Sequence, residues 1–272
     1  MTQHHHVIVS LLLAVSYIQL SAAHAGQFRC PQLASRDLTV RLASPWEAER
    51  LAAQRELEEL GPWAVGILLS EARAGSFPLS GSLLTYLARQ GGTDGVAYVS
   101  AILRDDTAQV ENRARAAVAL GRARAEGAVF ELMRSLSRGP AILRAASAES
   151  LGTIGDPRAR MVLQRALRDE DDGVMAAAAV ALARLGDSQG VHRLVSRYKA
   201  GSSTTPGSLA VRSSLLQIID MWPEYRGIRQ APGQRQNHLL ARWISEYERG
   251  TLPPAVSRPR SDPTTEAHHR DE

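Results

Sequence analysis

The chain has 272 residues, a single cysteine, 5% aromatic residues and a formal net charge of +4 at pH 7. One cysteine excludes an internal disulfide framework, so packing must supply the stability, and Cys30 is either a buried thiol or a site for pairing with another chain. The apolar content comes mainly from Ala, Leu and Val, which is typical of an all-helical protein that packs small residues closely.

The N-terminal 25 residues have the pattern of a signal peptide. A predominantly apolar run covers residues 7–20, which is short for a bilayer span. It is followed by Ala23-His24-Ala25, the small-x-small pattern that signal peptidase cleaves. We therefore expect residues 1–25 to be removed and the protein to be periplasmic or secreted. An uncleaved anchor and a cytosolic N-terminal helix are the alternatives.

Residues 26–43 show no clear periodicity, and we interpret them as an irregular or partly helical lead. The motif Ser44-Pro45-Trp46-Glu47 combines an N-cap, a proline in the first turn and a Glu three residues after the cap, so it predicts a helix that continues to Leu60. A further helix pair is expected at about residues 82–103, with Gln90-Gly91-Gly92 lengthening the turn between its helices.

The stretch from Arg113 to Lys199 repeats three times with a period of 31 residues. Small residues fill the first half of each repeat and larger aliphatic residues fill the second half, which predicts a closely packed helix, a short turn and a second amphipathic helix. The equivalent positions are Leu120, Leu151 and Leu182; Gly121, Gly152 and Ala183; Ala114, Ala145 and Ala176; Ala117, Ala148 and Ala179; Leu132, Leu163 and Leu194; and Leu136, Leu167 and Tyr198.

Turn residues separate the predicted helices. In Gly155-Asp156-Pro157 and Leu185-Gly186-Asp187, the glycine suits a left-handed helix end and the aspartate suits the cap of the next helix. The acidic run Asp169–Asp172 lies where another helix is expected to begin, and the helix dipole favours negative charge there.

A helix pair repeated at this period predicts a solenoid, in which stacking of neighbouring units forms the core. The segment from Arg144 to Ala159 resembles the HEAT-like repeat of the type also found in phycobilin lyases, and the resemblance extends over roughly residues 44–200. It implies an all-α fold, an α-α superhelix of about six helix pairs, here expected over residues 44–249. The repeat serves many unrelated roles, so it does not define a function.

The C-terminal part is expected to close the stack. Residues 200–208 are predicted to be a flexible insertion, and a sixth, atypical helix pair follows it. The last helix of this pair is predicted to be amphipathic, and an aromatic-bearing apolar face suits the covering of an open end. This face consists of Leu239, Leu240, Trp243, Ile244 and Tyr247. Residues 250–272, rich in Pro, Ser, Thr and charge, are expected to be a disordered tail.

No catalytic, metal or cofactor motif emerges from the sequence. The chain contains no Gly-x-Ser-x-Gly, phosphate-binding glycine loop or Cys-x-x-Cys motif, and it contains no His-Glu pair of the kind that holds iron in HEAT-like deoxyhypusine hydroxylases. The run Asp169–Asp172 lacks the Gly and terminal Glu of a calcium loop. We therefore expect no enzyme activity.

Basic residues on the second helices are the best candidate binding site. The resemblance implies that second helices line the concave side of the stack, where a basic stripe would receive an acidic protein segment, a nucleic acid backbone or an anionic polymer. The alternative is that these residues only keep the surface soluble. The stripe consists of Arg134, Arg165, Arg168, Arg193, Arg197 and Lys199.

Two functional classes follow from these observations. The first is an exported, non-catalytic scaffold that binds another protein through the basic stripe. The second is a HEAT-like enzyme or enzyme subunit of the lyase or nucleic-acid glycosylase type. Export would disfavour the second class, since the substrates of such enzymes are normally intracellular.

Overall fold

A computed structural model describes residues 31–60, 64–75, 79–201 and 206–251. These residues form thirteen α-helices joined by short turns, and no strand occurs among them. The structure therefore confirms the predicted all-α fold. The predicted signal peptide, Cys30 and residues 252–272 of the predicted tail lie outside the described residues.

The chain divides into two compact units, residues 1–80 and 81–272. In the first unit the helices are α1 (Pro31–Leu42), α2 (Glu47–Leu60) and α3 (Val65–Arg73). Helix α1 packs against α2, and Leu38 and Leu57 on these helices are buried. The lead, predicted to be irregular or partly helical, thus contributes a packed helix. Leu38 and Leu42 lie four residues apart on one face of α1, and both are buried, so they anchor this short helix to its neighbour.

The capping group of α2 differs from the one predicted. Helix α2 begins at Glu47, and the Ser44 hydroxyl accepts a hydrogen bond from the backbone N–H of Trp46 at 3.1 Å. The same hydroxyl donates to the carboxylate of Glu49 at 2.5 Å. The carboxylate that contacts Ser44 is thus that of Glu49 and not that of Glu47, and the predicted capping box is not formed: the helix begins at Glu47, later than the motif suggests, and the Ser44 N–H donates to the carbonyl oxygen of Arg41.

The second unit contains five consecutive helix pairs. Even-numbered helices are the first members of each pair and odd-numbered helices are the second. They are α4 (Gly81–Gln90), α5 (Gly92–Arg104), α6 (Val110–Arg122), α7 (Val129–Arg138), α8 (Ala141–Ile154), α9 (Arg160–Ala166), α10 (Asp172–Arg184), α11 (Gln189–Ala200), α12 (Pro206–Ile219) and α13 (Gly233–Glu248).

The packing of this unit is that of a helical repeat stack. The first helices from α4 to α12 pack on one another in chain order, and the second helices from α5 to α11 each pack against the first helix of the following pair. Second helices contact one another much less than first helices do. Each pair therefore depends on its neighbour for burial, as expected for a solenoid.

Small residues allow the first helices to approach closely. A Cβ atom added to Gly121 would lie 2.7 Å from Ser150, and one added to Gly152 would lie 2.5 Å from Cα of Ala181. The Ser150 hydroxyl lies 2.8 Å from the carbonyl oxygen of Ala117 on α6, so the close approach also permits a buried hydrogen bond between helices. These contacts explain the alanine and glycine positions of the repeat.

The predicted aliphatic positions form the core between the two layers of helices. Leu132, Leu163 and Leu194 are fully buried at 0% exposure. Leu136 and Leu167 are also buried, whereas the equivalent Tyr198 is half-buried. The phenolic oxygen of Tyr198 makes partial exposure favourable at this position.

The predicted turns are confirmed for the regular repeats. Gly155 and Gly186 adopt left-handed conformations with φ of +80° and +76°. Asp156 accepts a hydrogen bond from the backbone N–H of Arg158 at 2.8 Å, and Asp171 accepts one from Val174 at 2.9 Å. Both aspartates thus satisfy amide groups at helix starts.

The glycine-rich turn between α4 and α5 is shorter than predicted. Only Gly91 separates the two helices. A Cβ on Gly91 would lie 2.5 Å from the carbonyl oxygen of Leu87, and one on Gly95 would collide with the same oxygen. The glycines therefore tighten this turn instead of lengthening it, because they let α5 begin directly against the end of α4.

Aromatic residues pack the C-terminal pair. Trp243 on α13 is fully buried and meets the ring of Trp222 edge to face, with centroids 5.5 Å apart. Tyr247 stacks on Trp243 at a centroid distance of 5.3 Å. Of the five residues predicted for the apolar face of the last helix, two are buried and three are half-buried. The buried residues are Leu240 and Trp243, and the half-buried ones are Leu239, Ile244 and Tyr247.

Candidate basic binding surface

Exposed arginines gather where three successive second helices end. Arg104 ends α5, Arg134 and Arg138 lie on the last two turns of α7, and Arg165 and Arg168 lie at the end of α9. All five side chains are exposed. We call these five residues the basic surface.

The basic surface lines two adjacent grooves within the second unit. The first groove, of about 340 Å³, lies between the ends of α5 and α7 and is lined by Arg104, Arg134 and Arg138. The second, of about 600 Å³, lies between the ends of α7 and α9 and is lined by Arg138, Arg165 and Arg168. Arg138 belongs to both grooves, so the basic surface is continuous across them.

Two further arginines are held by carboxylates at the same grooves. Arg113 pairs with Asp106 at 2.7 Å and donates to the carbonyl oxygen of Leu103 at 3.2 Å. Arg144 makes a bidentate pair with Asp169, with N–O distances of 2.8 and 2.6 Å. Both arginine side chains are largely buried. They fix the shape of the grooves and are not available to a ligand.

The Arg144–Asp169 pair shifts the pKa values of both groups. Burial raises the pKa of the Asp169 carboxyl, but hydrogen bonds from Arg144 and from the backbone of Asp171 outweigh burial, and the pKa is lowered overall. The hydrogen bond to Asp169 raises the pKa of Arg144. Both groups are therefore charged at neutral pH, and their charges largely cancel within the groove.

The remaining charges leave the grooves positive. No residue of the basic surface has an ion-pair partner in the part of the chain that the structure describes. Apart from the two paired aspartates, the only carboxylates of the described residues that line these grooves are those of Glu131 and Glu170. Five unpaired arginines therefore face two carboxylates, an arrangement that attracts anionic groups.

The structure brings together three of the six residues of the predicted stripe. Arg134, Arg165 and Arg168 line the two grooves. Arg193 is exposed on α11, outside these grooves, and its Nε donates to the carbonyl oxygen of Leu167 at 3.3 Å. The stripe therefore does not form one uniform surface.

Two residues of the predicted stripe are ion-paired within the chain. Arg197 forms a bidentate pair with Asp172, with N–O distances of 2.7 and 2.6 Å. Lys199 pairs with Glu248 on α13 at 2.6 Å. Lys199 lines a separate groove of about 760 Å³ between α11 and α13, and its charge there is balanced by Glu248. Arg197 therefore stabilises the contact between the two helices of one pair, and Lys199 stabilises the contact with the next pair, so neither presents free charge.

Arg104 and Arg138 also belong to the basic surface, although they are not among the residues of the predicted stripe. Arg138 corresponds to Asp169 in the following repeat, so its position does not stand out as consistently basic. A usable signal was present, because a basic residue occupies the last turn of each second helix from α5 to α11.

Other kinds of site find little support in the described residues. No group of three or more His, Cys, Asp or Glu side chains among them is arranged to hold a metal ion. None of the described helices is both long and apolar enough to cross a membrane. The basic surface is therefore the feature on which a functional interpretation can be built.

Comparison with known families agrees with the geometry of the second unit. Residues 131–212 match the family described as HEAT repeats. This segment covers α7 from Glu131 to the middle of α12 and includes the second groove of the basic surface. No match to a curated protein sequence is found. The finer resemblance to the phycobilin-lyase type of repeat stays a prediction.

Proposed function

We propose that this HEAT-like repeat protein is a non-catalytic scaffold that binds an acidic segment of another protein through the basic surface. The observation that carries the proposal is the set of five exposed, unpaired arginines along two adjacent grooves. Arginine forms bidentate hydrogen bonds with carboxylates, so a row of arginines provides both attraction and orientation for Asp and Glu side chains.

The chemistry of the grooves favours an acidic protein segment over a nucleic acid. A phosphate backbone carries closely and evenly spaced charges and binds best to a surface free of carboxylates. Here Glu131 lines the first groove together with Arg104 and Arg134, and Glu170 lines the second together with Arg168. A protein segment can place its carboxylates at the arginines and neutral or basic groups opposite the glutamates, which gives specificity.

We propose further that the scaffold acts outside the cytoplasm. The support is the apolar run at residues 7–20 followed by Ala23-His24-Ala25. Fractionation of the native cells with mass measurement of the intact protein tests this, and a periplasmic or secreted chain beginning at Gly26 is expected. An uncleaved cytosolic chain would contradict export and reopen the alternative of a lyase-type or glycosylase-type enzyme.

The binding proposal is tested by reversing two charges. We expect Arg134→Glu with Arg165→Glu to weaken binding of the partner recovered from the envelope fraction by at least about tenfold, since each change replaces attraction by repulsion. Both side chains are exposed, so the helix content is expected to stay unchanged. Calorimetry at low and moderate salt measures the affinity, which is expected to fall with salt because charges beyond a Debye length of about 8 Å are screened.

A matched control separates the basic surface from net charge. Arg122 and Arg229 are also exposed and have no ion-pair partner within the described residues. The variant Arg122→Glu with Arg229→Glu changes the net charge by the same amount away from the grooves, and it is expected to bind nearly as the wild type does. Equal affinities for both double variants would contradict the proposal.

A further inference from the structure

Two large apolar side chains are exposed beside the basic surface. Phe130, near the start of α7, is 70% exposed, and Met161, near the start of α9, is 63% exposed. They occupy equivalent positions in consecutive repeats, 31 residues apart. Neither contributes much to the core, so the same uncovered apolar contact is offered by both helices.

Each apolar residue shares a helix face with an arginine of the basic surface. Arg134 follows Phe130 by four residues on α7, and Arg165 follows Met161 by four residues on α9. Residues four apart lie on the same face of a helix, about 6 Å apart along its axis. Because α7 and α9 are in contact, two parallel rows result, one apolar and one basic.

A neighbouring guanidinium group packs on the exposed phenyl ring. The guanidinium carbon of Arg158 lies 5.9 Å from the centroid of the Phe130 ring, and Arg158 is paired with Asp156 at 2.5 Å. Asp156 thus holds the Arg158 guanidinium group in place over the Phe130 ring. This arrangement limits the ring's freedom before any partner binds, which lowers the entropic cost of an apolar contact.

We infer that the segment bound by this surface is an acidic amphipathic α-helix lying across α7 and α9, with large apolar side chains on Phe130 and Met161 and carboxylates on Arg134 and Arg165. The inference rests on the proposed function and specifies the chemistry of its partner. Charge complementarity requires carboxylates on one side of the partner's helix, and the exposed Phe130 and Met161 require apolar side chains on the other.

The spacing of the rows selects a helix over an extended strand. Axes of packed helices lie about 8 to 10 Å apart, so equivalent contacts on α7 and α9 recur at about 10 Å. Seven residues of an α-helix rise about 10.5 Å and return to the same face. In an extended strand about three residues span 10 Å, and side chains three apart point to opposite sides. A helix therefore meets both members of each row, and a strand does not.

The test uses a designed peptide as the probe. It is an alanine-based helical peptide of roughly 20 residues, with Leu at two positions seven apart and Glu one residue after each Leu, on the flank of the Leu face. Binding to the full chain is measured by fluorescence anisotropy. We expect replacement of both Leu by Ala, or insertion of a central proline that breaks the helix, to weaken binding by at least about tenfold.

Variants of the protein complete the test. Phe130→Ser with Met161→Ser is expected to weaken binding of the Leu-containing peptide by at least about tenfold and to leave the already weak binding of the Ala-containing peptide unchanged. Leu209→Ser is the control, because Leu209 is 55% exposed on α12, outside these rows. Circular dichroism verifies that each variant keeps its helix content.

The outcomes distinguish this inference from the proposed function. If Arg134→Glu with Arg165→Glu weakens binding but the Phe130 and Met161 changes do not, or if the proline-containing peptide binds equally well, the helical partner is wrong and the acidic-segment scaffold stands. If the arginine changes have no effect on any acidic peptide, the proposed function itself is wrong. Failure of the Leu-containing peptide to bind at millimolar concentration also overturns the inference.

Discussion

At the residue scale, the pair of Arg144 and Asp169 ties the first turn of one helix pair to the turn that follows its second helix. Arg144 lies in the first turn of α8, and Asp169 lies in the turn between α9 and α10. The pair also orders the chain at the basic surface, because Arg144 donates to the carbonyl oxygen of Gly139 at the end of α7. A single ion pair thus connects stability with the shape of the second groove.

We expect Asp169→Asn to lower the free energy of unfolding by about 1 to 3 kcal/mol at pH 7. The pKa of Asp169 is lowered in the folded state, so its contribution is present above the unfolded pKa of about 3.9 and is lost as pH falls through the folded pKa. Denaturant unfolding at neutral and acidic pH measures this. A difference from wild type that persists unchanged at acidic pH would contradict the assignment, and Glu170→Gln serves as an exposed control.

At the scale of elements, the close packing of first helices depends on glycine and alanine where α6, α8 and α10 meet. Gly152 faces Cα of Ala181, and Gly121 faces Ser150. Ordinary helix propensity favours alanine over glycine by about 1 kcal/mol. The contact between helices outweighs this preference, which is why the repeat keeps glycine inside α6 and α8.

The substitution Gly152→Ala tests that contact. The added methyl group would lie 2.5 Å from Cα of Ala181, so α8 and α10 must separate, and we expect a loss of about 1 to 3 kcal/mol in the free energy of unfolding. Gly127→Ala is the control, since no atom lies within 4 Å of its added Cβ. Thermal and denaturant unfolding measure whether Gly152→Ala lowers or raises the free energy of unfolding. An increase would show that the helices are not closely packed there.

At the scale of the whole molecule, the repeat stack shares its stability between neighbours. Leu163 on α9 is fully buried, and α9 packs against α10 of the next pair. We expect Leu163→Ala to cost about 2 to 5 kcal/mol by cavity formation, and Leu163→Asp to cost more because it buries an unpaired charge. Hydrogen exchange is expected to show lost protection in α8 and α10 as well as in α9.

A matched substitution makes this prediction specific. Met161 lies on the same helix but is 63% exposed, so Met161→Ala is expected to change the free energy of unfolding little. An unchanged melting temperature for Leu163→Ala would show that the aliphatic positions are not core. Protection lost in α9 alone would contradict the dependence of each pair on its neighbours.

The sequence by itself determined the fold of the repeats and most of their turns. Leu132, Leu163 and Leu194 repeat at one period because each occupies the same buried place in successive helix pairs. The roles of Gly155 and Asp156 are equally predictable from the sequence, since a left-handed helix end and a helix cap depend on a few adjacent residues. Local backbone geometry and regular burial both produce a pattern along the chain. The helix pairs and their turns can therefore be predicted from the sequence alone.

Only the tertiary structure decided which cations are free to bind a partner. Arg197 looks equivalent to Arg165 as a basic residue on a second helix, yet it pairs with Asp172, 25 residues away. Arg138 is one of several basic residues in the last turns of second helices, yet it is the one that lines both grooves. The physical reason is that ion pairing and groove formation depend on where helix ends meet in space. Charges that are distant in sequence neutralise one another when they lie close in space, and the periodicity of the sequence does not show which of them do.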